Sequence, residues 1–292
     1  MTEEARPSTT EGASGWACYR HPKRGCGVRC NRCERPICPE CMISAPVGFQ
    51  CPPCVKAAPP VVSIHTLPIY RPLVTIAIIV AAVVAFLPSL GSGSGMLDGG
   101  GSLAERLALF GPYVAEGEWW RLFTSGFVHY GLMHLVFNMA ILYQLGSQIE
   151  PVLGRFRFAL VYVAGLLGGS LGALVLDPLA LTGGASGAVF GLMAASLVVL
   201  HTRGANLRQS GLPTLLVVNL LITFVVPGIS IGGHLGGLTG GGLAGALMMV
   251  GAVEGSGSDR TTSSVELVRS ATVLVLIGSL LFTCLAVASN PL

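Results

Sequence analysis

Residues 72–90 read PLVTIAIIVAAVVAFLPSL, nineteen residues without a charged side chain. A run of about 18 or more apolar residues is long enough to cross the hydrocarbon core of a bilayer as a helix. Charged residues make up only 11% of the 292-residue chain, whereas soluble domains carry about 25%. The apolar run and the scarcity of charge together predict a membrane protein and argue against a water-soluble globular enzyme.

Six further apolar runs follow, which predicts an all-α polytopic bundle of about seven transmembrane helices. The predicted spans are Pro72–Leu90, Phe127–Ile149, Phe156–Leu176, Ser186–His201, Pro213–Val226, Gly232–Val253 and Val268–Ala288. If the N-terminus lies inside, 15 of the 17 Lys and Arg residues fall on the inner side, and only Arg106 and Arg121 fall outside. Basic loops favour the cytoplasmic side. We therefore expect a multi-pass protein of the cell membrane with a cytoplasmic N-terminus and an external C-terminus.

Composition divides the chain into six segments. We expect a disordered N-terminus at 1–15, a cysteine-rich head at 16–56, a linker at 57–71, a six-helix core at 72–253, a cytosolic linker at 254–267 and an extra C-terminal transmembrane helix at 268–292. The first residues lack the apolar region of a cleavable signal peptide. The first span is therefore expected to start membrane insertion.

The head carries four closely spaced pairs of metal-binding residues. They are Cys18 with His21, Cys30 with Cys33, Cys38 with Cys41, and Cys51 with Cys54. Two intervening residues let one tight turn present both side chains to the same ion, and eight ligands are enough for two tetrahedral zinc sites. A disulfide framework is the alternative, but a reducing cytosol favours zinc. Cys26 has no partner at this spacing and is predicted to be a free thiol.

The head resembles a B-box or another cross-braced zinc finger. The resemblance implies that the first and third pairs hold one zinc ion and the second and fourth pairs hold the other. A segment this short buries little apolar surface, so metal binding is expected to supply its folding energy. The head is either a purely structural module or a binding module for a protein partner or lipid headgroups. Few aromatic residues lie among its basic residues, so no nucleic-acid partner is expected.

Two polar residues flanked by glycines stand at the start of predicted spans. Ser186 lies in GGASG at 183–187, and His234 lies in GGHLGG at 232–237. Each alone is compatible with small-residue helix packing. Both spans begin on the outer side, however, which places the two side chains at a similar depth, and a serine nucleophile needs an adjacent base such as histidine. No acidic residue lies at that depth, so the pair predicts a catalytic dyad rather than a triad.

The second predicted span carries His129, His134 and Asn138. His134 and Asn138 are four residues apart and therefore share one helix face. An imidazole N–H and a side-chain amide can both donate hydrogen bonds to a tetrahedral oxyanion. Hydrolysis of this kind needs no cofactor, so the only cofactors expected are the two structural zinc ions of the head.

These motifs together resemble the rhomboid family of intramembrane serine proteases. The matching motifs are Trp120-Arg121, His134-x-x-x-Asn138, Gly184-Ala185-Ser186-Gly187, and His234 followed by Gly237 and Gly241. The resemblance covers residues 71–253 and implies a rhomboid-like bundle with one extra helix, the six-plus-one arrangement. The zinc-binding head lies outside it.

The resemblance also implies roles for individual residues. Ser186 would be the nucleophile, and His234 would be the general base and acid. The Ser186 backbone N–H, His134 and Asn138 would form the oxyanion hole. In addition, His129 would lie near the cavity mouth, Arg121 and Glu150 would brace the first loop and the second span, and Phe190 would stack on His234 where some members have a tyrosine.

The implied reaction is peptide-bond hydrolysis in or beside transmembrane segments of single-pass membrane proteins. A non-catalytic adaptor is the main alternative; it would bind client helices and use the head to recruit a partner. Inactive relatives in the family typically lack the serine or the histidine, whereas this chain has both. A transporter would require charged residues at mid-membrane and repeat symmetry, and neither is evident in the sequence.

Overall fold

The computed structural model describes residues 16–45, 47–57, 70–91, 102–249 and 259–290. The chain divides into two compact units, residues 1–69 and 70–292. The predicted disordered segment 1–15, most of the predicted linker 57–71 and the first part of the predicted linker 254–267 lie outside the described residues.

The first unit contains three short antiparallel hairpins. They pair β1 (Trp16–Ala17) with β2 (Gly25–Cys26), β3 (Val28–Arg29) with β4 (Pro36–Ile37), and β5 (Ile43–Ser44) with β6 (Phe49–Gln50), and the short helix α1 (Pro52–Lys56) follows. Among its described residues, the fully buried apolar cluster consists of six cysteines and Ile37. An apolar core this small cannot by itself offset the entropy lost on folding.

The second unit is helical. Its long helices are α2 (Leu73–Phe86), α6 (Leu132–Leu153), α7 (Arg155–Leu176), α8 (Ser186–Thr202), α9 (Leu212–Val225), α10 (Ile231–Met249) and α11 (Asp259–Ser289), and the short helices α3 (Ser102–Leu107), α4 (Gly111–Ala115) and α5 (Arg121–Thr124) lie between α2 and α6. The predicted all-α fold with several apolar helices is confirmed.

Length and apolarity separate these helices into two groups. Within the described residues, three segments are long and apolar enough to cross a membrane: Leu73–Leu90, Arg155–Leu176 and Ser264–Ser289. The pair Arg121–Phe127 and Leu132–Leu153, bent by 96°, makes a fourth if it counts as one span. α8 and α9, in the fourth and fifth predicted spans, are also apolar but only 17 and 14 residues long. α10, in the predicted sixth span, is rich in glycine.

Two predicted boundaries differ from the structure. The chain turns at Gly131, whose φ of +87° suits glycine, so α6 begins only at Leu132 and His129 lies in the bend before it rather than on the helix. The last helix begins at Asp259, inside the predicted linker 254–267. Arg157 of α7 forms a 3.0 Å ion pair with Glu266 on that early part of α11.

α10 packs against α7 and α8 through faces made of glycine. A Cβ on Gly172 would lie 2.1 Å from the carbonyl oxygen of Gly232, and a Cβ on Gly237 would lie 2.1 Å from that of Gly187. Because these positions have no room for a side chain, the backbones meet directly, as small-residue faces allow in membrane bundles. The contact between α8 and α10 is what brings the two ends carrying Ser186 and His234 together.

Candidate active site

Ser186 is the first residue of α8, at the end of a tightly fixed glycine turn. Gly184 has a φ of +137°, and a Cβ at this position would lie 2.9 Å from the His134 ring. The Gly184 backbone N–H donates to the carbonyl oxygen of Ser125 at 2.9 Å. The first N–H groups of a helix have no acceptor within that helix. The Ser186 N–H is therefore available to a group placed beside its hydroxyl.

Ser186 and His234 are in hydrogen-bond contact. The distance from Ser186 Oγ to His234 Nε2 is 2.8 Å, within the range required for proton transfer between a nucleophile and its base. His234 is only 8% exposed, whereas Ser186 is partly exposed. The structure thus brings together the two residues predicted to form the dyad.

Two further side chains hold the His234 imidazole. The Phe190 ring stacks on it with centroids 4.3 Å apart and an interplanar angle of 22°. On the opposite edge, Thr223 Oγ1 lies 2.6 Å from His234 Nδ1. The stacking agrees with the predicted position of Phe190, but sequence reasoning missed Thr223. The signal available was a polar pair, Asn219 and Thr223, four residues apart on an otherwise apolar stretch of α9.

His134 and Asn138 lie one turn apart on α6, and the His134 ring lies beside the glycine turn that precedes Ser186. The Tyr130 backbone N–H donates to His134 Nδ1 at 3.3 Å, so Nδ1 is the accepting nitrogen and Nε2 carries the proton of the neutral ring. Asn138 Nδ2 donates one hydrogen to the His134 carbonyl oxygen at 2.9 Å, which leaves its second hydrogen free. Both predicted oxyanion donors therefore have an N–H that can donate a further hydrogen bond.

His129 is almost completely buried behind this turn. Its Nε2 accepts from the Ala185 backbone N–H at 3.4 Å, and its Nδ1 donates to the Phe127 carbonyl oxygen at 3.2 Å. Its ring packs edge-on against His134 with centroids 5.1 Å apart. Since both ring nitrogens are engaged with backbone, His129 supports the residue before Ser186 rather than facing an open cavity.

Residues 116–251 match the family model of the Rhomboid domain. By this match, the segment is similar to a Rhomboid domain. The chain is 39% identical over 159 residues to Rhomboid protease GluP of Bacillus subtilis (strain 168), covering 52% of this chain and 31% of that protein. It is 33% identical over 167 residues to RHOMBOID-like protein 1 of Arabidopsis thaliana, covering 56% and 42%.

A third relative is named as an inactive protein. The chain is 36% identical over 137 residues to Inactive rhomboid-related protein 2 of Caenorhabditis elegans, covering 42% of this chain and 39% of that protein. In each of these three cases the matched segment spans less than half the length of the relative. The matches support the rhomboid family for this chain.

Two charged residues hold helices together within the Rhomboid-like segment, away from Ser186. Arg121 is 4% exposed; its guanidinium donates to the carbonyl oxygens of Glu105 and Ala108, each at 2.7 Å, and to the Glu118 carboxylate at 2.6 Å. Arg121 thereby ties the segment containing α3 to α5. This agrees with the bracing role that the resemblance implied for it.

Glu150, at the other end of α6, is completely buried. Its carboxylate accepts from the backbone N–H groups of Val74 and Thr75 at 3.2 and 2.9 Å, and from the Thr75 and Tyr70 hydroxyls at 2.7 and 3.3 Å. The first N–H groups of a helix lack intrahelical acceptors and favour negative charge. Glu150 therefore caps α2 and fixes it to α6.

The cysteine-rich unit, which lies outside the segment matched to the Rhomboid domain, brings the predicted ligands into two clusters. Cys18, His21, Cys38 and Cys41 form one, and Cys30, Cys33, Cys51 and Cys54 form the other, with the ligand atoms of each cluster within 4.8 Å of one another. These are the sets implied by the cross-braced arrangement. All nine cysteines of the chain are in the described residues and are free thiols, so no disulfide framework is formed. Cys26 is buried outside both clusters, with its thiol 3.7 Å from the Arg24 carbonyl oxygen.

Proposed function

We propose that this protein is an intramembrane serine protease in which Ser186 is the nucleophile and His234 is the general base. The observation that carries the proposal is the 2.8 Å contact between Ser186 Oγ and His234 Nε2, made across two helices that pack through glycine. The Rhomboid domain and the similarity to a relative named as a rhomboid protease support the same chemistry.

In the proposed reaction, His234 Nε2 takes the proton of the Ser186 hydroxyl as Oγ attacks the carbonyl carbon of the scissile peptide bond. The carbonyl oxygen then carries negative charge in a tetrahedral intermediate. The Ser186 backbone N–H, His134 Nε2–H and the free Asn138 N–H are the donors proposed to stabilise this charge. His234 returns the proton to the leaving amine, and water then hydrolyses the acyl-enzyme by the same steps in reverse.

The proposed substrates are transmembrane segments of single-pass membrane proteins. A peptide bond inside a helix hides its carbonyl in the helical hydrogen-bond ladder, and unwinding a helix in lipid leaves polar groups unsatisfied. Segments with small and helix-weakening residues near the cleavage site would reach Ser186 most readily. In the proposed orientation, Ser186 and His134, both partly exposed, face the outer aqueous side, from which hydrolytic water enters, and the head is cytoplasmic.

We further propose that the head binds two structural zinc ions. A tetrahedral zinc with Zn–S bonds near 2.3 Å separates two sulfurs by about 3.8 Å, and Cys33 Sγ lies 3.7 Å from Cys51 Sγ. His21 Nδ1 lies 3.3, 3.5 and 4.0 Å from the three sulfurs of its cluster, close to the roughly 3.6 Å expected between nitrogen and sulfur ligands. Bound zinc would stabilise this unit in place of an apolar core, and the unit would be available to a protein partner.

Cleavage of a generic single-pass substrate by the purified full-length protein, reconstituted in lipid vesicles, tests the proposed activity. Ser186→Ala and His234→Ala should each reduce turnover by at least about 10³-fold, because a nucleophile and its base act as a unit and loss of either one removes most of the activity. Ser196→Ala is the matched control: Ser196 is also on α8 and buried, but its hydroxyl only donates to the Leu192 carbonyl oxygen at 2.6 Å. It should cleave at the wild-type rate.

A fluorophosphonate probe separates this proposal from a non-catalytic adaptor. The wild type and Ser196→Ala should be labelled, and Ser186→Ala should not. Equal labelling of Ser186→Ala and the wild type would show that the reactive hydroxyl is elsewhere. An unlabelled, inactive wild type would favour the non-catalytic adaptor; the Caenorhabditis elegans relative is likewise named as inactive.

A further inference from the structure

Thr223 makes two hydrogen bonds, one ordinary and one unusual. Its Oγ1 donates to the Asn219 carbonyl oxygen at 2.7 Å, one turn earlier on α9. Several other threonines of the membrane unit make this same bond to their own helix, among them Thr202, Thr239, Thr272 and Thr283. Thr223 differs because its oxygen also lies 2.6 Å from His234 Nδ1 on another helix. The bond to Asn219 therefore uses the proton of the Thr223 hydroxyl. The contact with His234 is an additional hydrogen bond that these other threonines do not make.

The two bonds together set the direction of proton donation. A hydroxyl has one proton and two lone pairs, and a carbonyl oxygen only accepts. With its proton donated to Asn219, Thr223 Oγ1 is left as an acceptor, so His234 Nδ1 must be the donor. A neutral imidazole protonated on Nδ1 has its lone pair on Nε2, the nitrogen 2.8 Å from Ser186 Oγ. That lone pair is what a general base needs.

Burial shows how this contact relates α9 to the site. Leu212 and Thr223 are the only buried residues in the helix. The side chains next to Thr223 point away from the bundle, since Ile222, Phe224 and Val225 are 46%, 59% and 75% exposed. Thr223 itself is 2% exposed. Near this end of α9, Thr223 is therefore the buried residue, and its hydroxyl contacts His234.

We propose that Thr223 is a positioning residue that holds His234 in the tautomer and orientation needed to accept the Ser186 proton, a role that rests on the proposed protease function. It stands where triad proteases have a carboxylate, but it is neutral and is supplied by a neighbouring helix. It does not contact the scissile bond. Its contribution is made through His234 alone.

Three variants of the full-length protein test this role by steady-state cleavage in vesicles. Thr223→Val keeps the shape of the side chain but removes the hydroxyl, and should lower kcat by about 10- to 100-fold with KM unchanged. Thr223→Ser restores the hydroxyl and should recover most of the lost kcat. Thr239→Val is the control, because Thr239 makes only the bond to its own helix, to Leu235 at 2.8 Å, and is exposed on α10. It should match the wild type.

Three results of the kinetic assay would overturn the proposal. The first is wild-type kcat in Thr223→Val. The second is an equal loss of kcat in Thr223→Val and Thr223→Ser, and the third is a loss through KM alone; each of these two would place the effect in packing rather than in the hydroxyl.

The ring ¹⁵N spectrum of His234 gives a readout that does not depend on turnover. Its signals are assigned by their absence from His234→Ala. We expect protonated Nδ1 and unprotonated Nε2 in the wild type, with a rise of the Nε2-protonated form in Thr223→Val. A wild type protonated on Nε2 refutes the role of Thr223 whether or not the protein is active, whereas an inactive wild type with the expected tautomer refutes the protease function and leaves the tautomer assignment standing.

Discussion

The contact between α8 and α10 gives a quantitative prediction for Gly237→Ala. Gly237 lies one turn beyond His234, and it faces Gly187, the residue after Ser186. An added Cβ would lie 2.1, 2.5 and 2.7 Å from the carbonyl oxygen, carbonyl carbon and Cα of Gly187. All three are backbone atoms, so the clash cannot be relieved by turning a side chain; the helices must separate.

The size of that separation determines the effect on catalysis. Ordinary van der Waals contact begins near 3.4 Å, so the Cβ needs about 1.3 Å beyond the 2.1 Å available. A shift of that size along the contact would lengthen the 2.8 Å distance from Ser186 Oγ to His234 Nε2 to roughly 4 Å, beyond hydrogen-bond range. A displacement of about 1 Å at a reacting pair costs about 10²-fold in rate, and overpacking costs about 1–3 kcal/mol of stability.

The assay is cleavage of a transmembrane substrate in vesicles together with thermal unfolding. Gly237→Ala should lose about 10²-fold in kcat and unfold at a lower temperature. Gly278→Ala is the control, because a Cβ at Gly278 on α11 meets nothing within 4 Å, and it should retain full activity. Wild-type kcat in Gly237→Ala would refute the idea that this backbone contact sets the distance between Ser186 and His234.

Three further changes have defined expected outcomes. Asn138→Ala should lower kcat by about 10²-fold with little change in unfolding temperature, because it removes one oxyanion donor; an unchanged kcat would exclude Asn138 from the oxyanion hole. Glu150→Gln should lower the free energy of unfolding by about 2 kcal/mol, since the amide NH₂ would face N–H groups that now donate to the carboxylate; a stability equal to that of the wild type would contradict the capping role. Cys38→Ser should lower the zinc content measured by mass spectrometry from two ions per chain to one, while Cys26→Ser should keep two; two ions in both variants would contradict the ligand assignment.

Local patterns in the sequence accounted for much of the site. The GGASG stretch marks the beginning of a helix by its glycines, and the same glycines leave room for Ser186 and for the neighbouring backbone. The x-x spacing of the cysteine pairs depends only on nearby residues, so it identifies the ligands without knowledge of the rest of the fold. The grouping of the pairs into two sets came instead from the resemblance to cross-braced zinc fingers. His134 and Asn138 are likewise related through helix periodicity alone.

Features that depend on distant residues could not be predicted in this way. Gly131 produces the turn before α6, but a chain with 40 glycines gives no sign of which one adopts a positive φ. His129 was therefore placed on a helix that starts three residues after it. Thr223 was missed for a related reason: its contact with His234 joins two helices, and a lone threonine in an apolar segment usually bonds to its own helix, as Thr239 does.

The three histidines of the membrane site differ only in what surrounds them, and that difference gives each ring a separate task. Backbone N–H groups can only donate and carbonyl oxygens can only accept. The Tyr130 N–H therefore leaves His134 with a proton on Nε2, suited to an oxyanion, whereas both nitrogens of His129 are taken up by Ala185 and Phe127. Among the described residues no backbone group bonds to the His234 ring, so its tautomer depends on a side chain, Thr223. The tautomer of His234, the proposed base, is therefore the one that a single substitution on another helix can change. Thr223→Val should reduce the Nδ1-protonated form of His234 and leave the tautomers of His129 and His134 unchanged.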